Sequence, residues 1–331
     1  MPSGFAPLAL LLASSISHAA DPTAFTSRNH NPLLQIYGLP PFQSASLASE
    51  GEPRFRAALD IANHADDGGT TSETVILDGE SYFLTLSLRH RIREWLEIGF
   101  DLPLVAHSSG IFDNAIERWH KIWGLSNAQR LRESNRLDIR YTRNGIEQYA
   151  LSSSASGIGD LQLTAAVPLW GAGRAGGRAL TLRSSLKLPT GDSSELLGSG
   201  ATDFALGLYG SSGGFGARQQ FDVSAFAGVL LLGEGDVFAQ IQESSVAFGG
   251  LAATWQAAER VSLAAQFYAQ GSYLDSDLEE LGGTSVQAAF GGTYRFRSQR
   301  TSLSVAIVED LFDDATTDVA LHIAVNWLVG S

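Results

Sequence analysis

The chain of 331 residues has no cysteine, which excludes disulfides, thiolate metal sites, cysteine nucleophiles and a lipidated cysteine anchor, though not an oxidising compartment. Lysine is nearly absent: Lys121 and Lys187 are the only two, so the basic charge is almost all arginine. Acids outnumber bases to a formal net charge of -13, which argues against a nucleic-acid partner. Beyond the first twenty residues there is no apolar run of 18 or more, so a membrane-spanning α-helix is excluded. Charge of either sign is sparse at 17%, while glycine reaches 35 residues. Such a composition suits a sheet with one face in lipid better than the core of a soluble enzyme.

Met1 to Ala20 form an apolar stretch ending in small residues, the pattern of an export signal cut after Ala19, although no Lys or Arg precedes it. Residues 20–52 carry Pro22, Pro32, Pro40 and Pro41, too many for an ordinary strand. Two places are open to this segment, the periplasm or the inside of a barrel as a plug. From residue 53 to 331 apolar residues recur at every second position in stretches of about ten, the spacing that puts one face in lipid and the other in a lumen. Leu96, Ile98, Phe100, Leu102 and Leu104 alternate with Glu97, Gly99 and Asp101, and Val319, Leu321, Ile323, Val325 and Trp327 alternate with His322 and Asn326.

Twelve such strands are expected, at about 53–63, 81–90, 95–104, 158–169, 178–188, 201–211, 218–232, 244–257, 260–271, 284–297, 300–309 and 318–329. Short turns near 91–94, 257–260 and 298–300 alternate with longer loops. The fold class expected is all-β, a transmembrane antiparallel up-and-down barrel with both termini in the periplasm. In lipid a closed sheet satisfies every backbone group, as an open one cannot. A soluble β-sandwich also has period-two strands, but its strands are shorter, about 5–6 residues, and it gives no reason for loops long on one side only.

Asn31-Pro32-Leu33-Leu34, Tyr37-Gly38-Leu39-Pro40 and Leu77 to Leu84 carry a resemblance that is strongest at Gly110 to Leu125 (GIFDNAIERWHKIWGL) and at Ser156-Gly157-Ile158-Gly159-Asp160-Leu161-Gln162-Leu163. Together these segments resemble the uncharacterised family called domain of unknown function 3187. The resemblance implies a bacterial outer-membrane barrel and carries over no functional residue.

Val105 to Gly157 breaks the barrel pattern. Within it Ile111, Phe112, Ala115, Ile116, Trp119, Ile122 and Trp123 fall at helical spacing, opposite Asp113, Glu117, Arg118 and Lys121. With His120, this predicts an amphipathic helix in a long outer loop, serving as gate, plug, interfacial helix or structural cap. Arg136 to Arg143 alternate towards Asn144-Gly145, the signature of a hairpin turn. The inner face is expected to carry Arg54, Arg56, Glu97, Asp101, Asp160, Arg183, Lys187, Asp203 and Arg295, with Asp160 and Asp203 flanking the strand of Arg183 and Lys187. A pore constriction and simple ion pairs filling a narrow barrel are the two readings of that set.

Catalytic signals are weak. His107 beside Ser108, with Asp113 and His120 nearby, lacks a nucleophile elbow, a paired-histidine metal helix or a phosphate loop. No catalytic residue, metal or cofactor is expected. Glu309-Asp310, Asp313-Asp314 and Asp275, Asp277, Glu279 and Glu280 suit solvated loops better than cation sites. The leading expectation is a passive or gated channel for small polar or amphipathic solutes in the outer membrane of a Gram-negative bacterium. Its partners are outer-membrane lipid, the barrel assembly machinery and a small-molecule solute. A non-conducting barrel that binds lipid or a protein is the alternative, and a barrel hydrolase the third.

Overall fold

The computed structural model describes residues 24–110, 136–171, 177–216, 220–312 and 319–329. Alternation in the sequence becomes a single antiparallel sheet that closes on itself. Its strands are β1 (Arg54–Gly69), β2 (Glu73–Arg93), β3 (Leu96–Ser108), β4 (Asp138–Arg143), β5 (Ile146–Leu151), β6 (Ala155–Ile158), β7 (Leu161–Trp170) and β8 (Arg178–Leu188). They continue with β9 (Asp203–Ser212), β10 (Phe221–Leu231), β11 (Ser245–Ala258), β12 (Val261–Gln270), β13 (Ser285–Arg295), β14 (Thr301–Phe312) and β15 (Val319–Leu328). β15 pairs with β1, from Arg54 opposite Leu328 to Asn63 opposite Val319, so no edge is left in the wall. β6 and β7 both pair with β3 and count as one wall strand broken at Gly159-Asp160. The wall therefore has the twelve strands expected.

β4 and β5 form a hairpin that pairs with the start of β2 and extends the wall at one place. Its turn is Asn144-Gly145, with φ of 52° and 74°, the doubly left-handed geometry that matches strand twist and that Asn-Gly tolerates.

Connections are short at one end of the barrel, here the turn end, and longer at the other, the loop end. One loop-end connection departs from expectation. Instead of a long loop over 64–80, β1 and β2 run on as a tight hairpin to Thr70, with Asp66 opposite Leu77 and Gly69 opposite Thr74. The reason is physical. Lower in β2, Leu84 and Leu86 point outward and are exposed, whereas higher up Val75 and Leu77 point inward and are buried. The backbone parity is unbroken, but above the lipid the apolar side moves from the outside to a core beneath the loops, so the lipid-facing pattern stops while the strand continues.

The outer surface carries an apolar belt that includes Ile98, Leu163, Leu208, Leu251, Leu263 and Ile307, all exposed. Trp95, Trp170, Trp255, Tyr294 and Phe296 are exposed near the turn end, and Phe55 stacks on Trp327 at 5.6 Å there. Aromatic rings at one rim mark a lipid–water boundary, where the ring is apolar and its polar atom stays wet. At the loop end Leu196, Phe238, Tyr273, Leu278 and Leu281 are buried together with Tyr141 and Ile139 of the hairpin. Asp192 caps the short turn Ser193–Glu195, and the hydroxyl and N–H of Ser194 hold its carboxyl below the usual range.

Candidate functional site

Residues 24–48 lie inside the barrel. Leu33, Leu34, Ile36, Tyr37, Leu39 and Phe42 are all at most 3% exposed, which places the segment in the lumen and not beside it. Pro32, Pro40 and Pro41 prevent a strand of its own, so its backbone groups need other partners. The barrel supplies them from inward side chains. Gln266 Nε2 donates to Phe25 O (3.0 Å) and Tyr268 OH to Pro40 O (2.7 Å), while the segment's own Gln35 Nε2 donates to Leu196 O of the barrel (2.7 Å). Arg183 donates to Ser44 O (3.0 Å) and Ser46 O (3.1 Å), and Ala48 N donates to Glu97 Oε2 (2.6 Å).

Lys187 is the most enclosed lysine or arginine among the described residues, 2% exposed. Its Nζ meets Asp160 Oδ2 at 2.7 Å, Asp203 Oδ2 at 3.1 Å and Ile36 O at 3.1 Å, and it also bonds Ser199 Oγ. Both carboxylates have further donors: Gly191 N and Ser199 N for Asp160, Gly38 N and Gly233 N for Asp203. Asp160 keeps the inward parity of Gln162 on β7, whereas Ile158 across the break faces outward. Gly38 sits so close that a Cβ there would lie 2.9 Å from Asp203 Cβ and 3.1 Å from Lys187 Cβ.

Arg183 bridges the wall, with Nη1 2.9 Å from Glu97 Oε1. It pairs with neither Asp160 nor Asp203, so only Lys187 of the two basic residues on β8 takes the flanking aspartates. Register explains this: Arg183 lies opposite Ala166, one strand over from Glu97, whereas Lys187 lies opposite Asp203 itself. Next to it an aromatic hub grips the segment: Phe226 packs against Phe42 (4.6 Å), Tyr209 (5.0 Å), Tyr268 (5.2 Å) and Phe248 (6.0 Å). Gly250 and Gly228 make room for these rings, since a Cβ on either would lie 2.5 Å from the rings of Phe226 and Phe248 respectively.

A seam remains between the segment and the wall of β1, β2 and β3. Two adjoining openings, about 570 and 470 Å3 counted out to open solvent, share Arg56, Ser87 and Arg89. Asp101 pairs with Arg89 at 2.7 Å, and Arg56 Nε donates to Asn326 Oδ1 at 2.5 Å. The inward charges read from the sequence, Arg56, Glu97, Asp101, Asp160, Arg183, Lys187 and Asp203, thus fall into two groups, one anchoring the segment and one lining the seam. Arg89, Arg28 and Asp60 join them unforeseen. Arg89 follows from counting two residues on from Ser87 along the inward face; Arg28 has no such signal, because it lies in the aperiodic segment.

His107 does not use Ser108. Its Nδ1 meets Ser81 Oγ (2.7 Å), which also meets His64 Nε2 (2.8 Å), and all three residues are buried. His322 Nδ1 and His30 Nε2 both approach Asp60 Oδ1, at 2.7 and 3.3 Å. These contacts lie within the lumen wall, where Ser81 is fully buried. The predicted gate helix, with Phe112, Asp113, Ile116, Glu117, Trp119, His120 and Trp123, lies outside the described residues, as do Asp313 and Asp314. Among the described residues no cluster of His, Asp and Glu is arranged to hold a metal.

A closed wall with an apolar outer belt, an aromatic rim and a polar, filled interior defines an outer-membrane type of β-barrel. Over residues 5–328 the chain matches the family described as a protein of unknown function (DUF3187), and it belongs to that family. Among solved structures it is similar to an outer-membrane channel from Pseudomonas putida F1, with a TM-score of 0.56 and 13% identity over 86% of this chain and 98% of that one. The NanC porin aligns at a TM-score of 0.45 and 8% identity, covering 83% and 98%. The toluene transporter TbuX of Ralstonia pickettii aligns at 0.38 and 10%, covering 85% and 90%. No curated protein sequence matches the chain.

Proposed function

We propose that the protein is an outer-membrane channel for small polar or amphipathic solutes, with a resting lumen narrowed by its own residues 24–48. The observation that carries this reading is the seam. A purely structural barrel of this width could fill its interior with side chains; here an aperiodic segment does the filling and leaves an opening along β1–β3, lined by Arg56, Ser87 and Arg89. In this orientation the turn end faces the periplasm and the loop end the outside, the belt contacts outer-membrane lipid, and β15 closes the wall during insertion by the barrel assembly machinery. Chemistry on a substrate is not part of the role.

Gly38→Leu tests the reading, because the new side chain cannot share space with Asp203 and Lys187 and must push the segment away from β8 and β9. In planar bilayers the unaltered protein is expected to give small, infrequent steps, and Gly38→Leu larger and longer ones. Silence from both would refute the channel. It would favour a barrel that binds lipid or a protein partner, a reading whose support is the buried apolar roof of Leu196, Phe238 and Tyr273 at the loop end.

A further inference from the structure

The charge on the seam is opposite to that of the chain. Five arginines line its two openings, Arg28, Arg54, Arg56, Arg89 and Arg183, against three carboxylates, Asp60, Glu97 and Asp101. All three carboxylates are taken: Asp101 by Arg89, Glu97 by Arg183, and Asp60 by His322 and His30. Among the described residues, Arg28, Arg54 and Arg56 form no ion pair. Arg28 gives one N–H to Leu39 O at 2.8 Å and Arg56 its Nε to Asn326, both neutral acceptors.

The β1–β2 register concentrates these cations. Arg54 lies directly opposite Arg89 on the neighbouring strand, and Arg56 is opposite Ser87, one inward position along. Like charges placed directly across a sheet destabilise it. Guanidinium groups cannot relieve the repulsion by losing a proton. The carboxylates that Arg54 and Arg56 act on, Glu97 and Asp101, are already bonded to Arg183 and Arg89, so cations exceed their counter-ions here, and their planar forks match a further carboxylate with two parallel N–H···O bonds.

Further along β1 and β2 from Arg56 and Arg89, the larger opening is also lined by Ala58 and Phe83, with Pro103 of β3 and Pro41 of the segment, beside Thr85 and Asp60. We infer that the seam binds and conducts small amphipathic carboxylates, with the carboxylate at Arg54 and Arg56 and the apolar part against Ala58, Phe83 and Pro103. This deepens the channel reading by giving its solute a chemical class, and it rests on that reading for conduction but not for binding.

Binding and conduction are therefore tested separately. Titration calorimetry of the full chain in uncharged detergent would use hexanoate, hexylammonium with the same tail, and inorganic phosphate. Hexanoate is expected to bind at least tenfold more tightly than either competitor, and Arg56→Gln to weaken it about tenfold. Arg54→Gln separates a ligand role from a structural one. Removing one of two opposed cations should raise the urea midpoint of the empty barrel, yet lower hexanoate affinity and shrink the stabilisation that hexanoate gives by binding only the folded state.

Equal binding of hexylammonium, unchanged affinity in both variants, or a lowered midpoint for Arg54→Gln without added anion would each overturn the assignment. Phosphate binding as tight as hexanoate would overturn the carboxylate class. In bilayers, hexanoate current with a reversal potential favouring anions supports the inference. Hexanoate binding in a barrel that passes no current would remove the channel and leave the site, whereas current without preference for anions would remove the site and leave the channel.

Discussion

Lys187→Met is expected to destabilise the barrel by about 3–5 kcal/mol, the usual loss when one partner of a buried ion pair is removed. Methionine has nearly the same length and apolar volume, so packing changes little. What changes is charge: Asp160 and Asp203, 5% and 0% exposed at their side chains, keep their backbone donors but lose the one cation between them. Two carboxylates then face each other in a space closed by Ile36, Gly38 and Ser199. The triple variant Lys187→Met, Asp160→Asn, Asp203→Asn removes the repulsion, and recovery of most of the lost stability is expected, since neutral replacements of a buried charged group are often tolerated. Urea unfolding in lipid vesicles, followed by tryptophan fluorescence, reads both. A single variant within about 1 kcal/mol of the parent would mean that water reaches this group and that the lumen is far looser than the distances indicate.

Phe226→Ala is expected to cost a similar amount, about 3–5 kcal/mol, for a different reason. Its ring touches four other aromatic rings and is the one contact they share, so alanine leaves a cavity that neighbours on three separate strands and on the N-terminal segment cannot jointly close. Gly228 and Gly250 worsen the loss, because those positions have no side chain to move into the gap. Phe226→Leu, which keeps most of the volume, should lose no more than about 1.5 kcal/mol. The distinguishing readout is Phe42: protease cleavage within residues 24–48 should speed up in Phe226→Ala and stay slow in Phe226→Leu. Equal cleavage rates would show that the hub stabilises the wall alone.

The wall was readable because lipid imposes one rule on every strand that crosses it. Leu96 to Leu104 and Val319 to Trp327 alternate cleanly since one face has only hydrocarbon to meet. Where lipid stops, the rule stops, and the upper halves of β1 and β2 escaped notice because Val75 and Leu77 turn their apolar side inward. The inward charges were readable by parity, and the placing of Arg183 and Lys187 on a strand between Asp160 and Asp203 followed from strand order. Their grouping was not, because partners such as Glu97 and Arg183 depend on register across β7, which a sequence with period two specifies only to within two-residue steps. The N-terminal segment lay furthest out of reach. Its partners, Asp203, Gln266 and Tyr268, lie more than 160 residues away along the chain, and an aperiodic proline-rich stretch carries no pattern that names them.

The closure of β15 on β1 sets an order of events. Residues 24–48 precede β1 and are joined to it at Arg54, so the occupant is synthesised before any strand of its container. The seal between β1 and β15 is made by the last strand of the chain. The carbonyls of that occupant are what Arg183, Lys187, Gln266 and Tyr268 meet inside the closed ring.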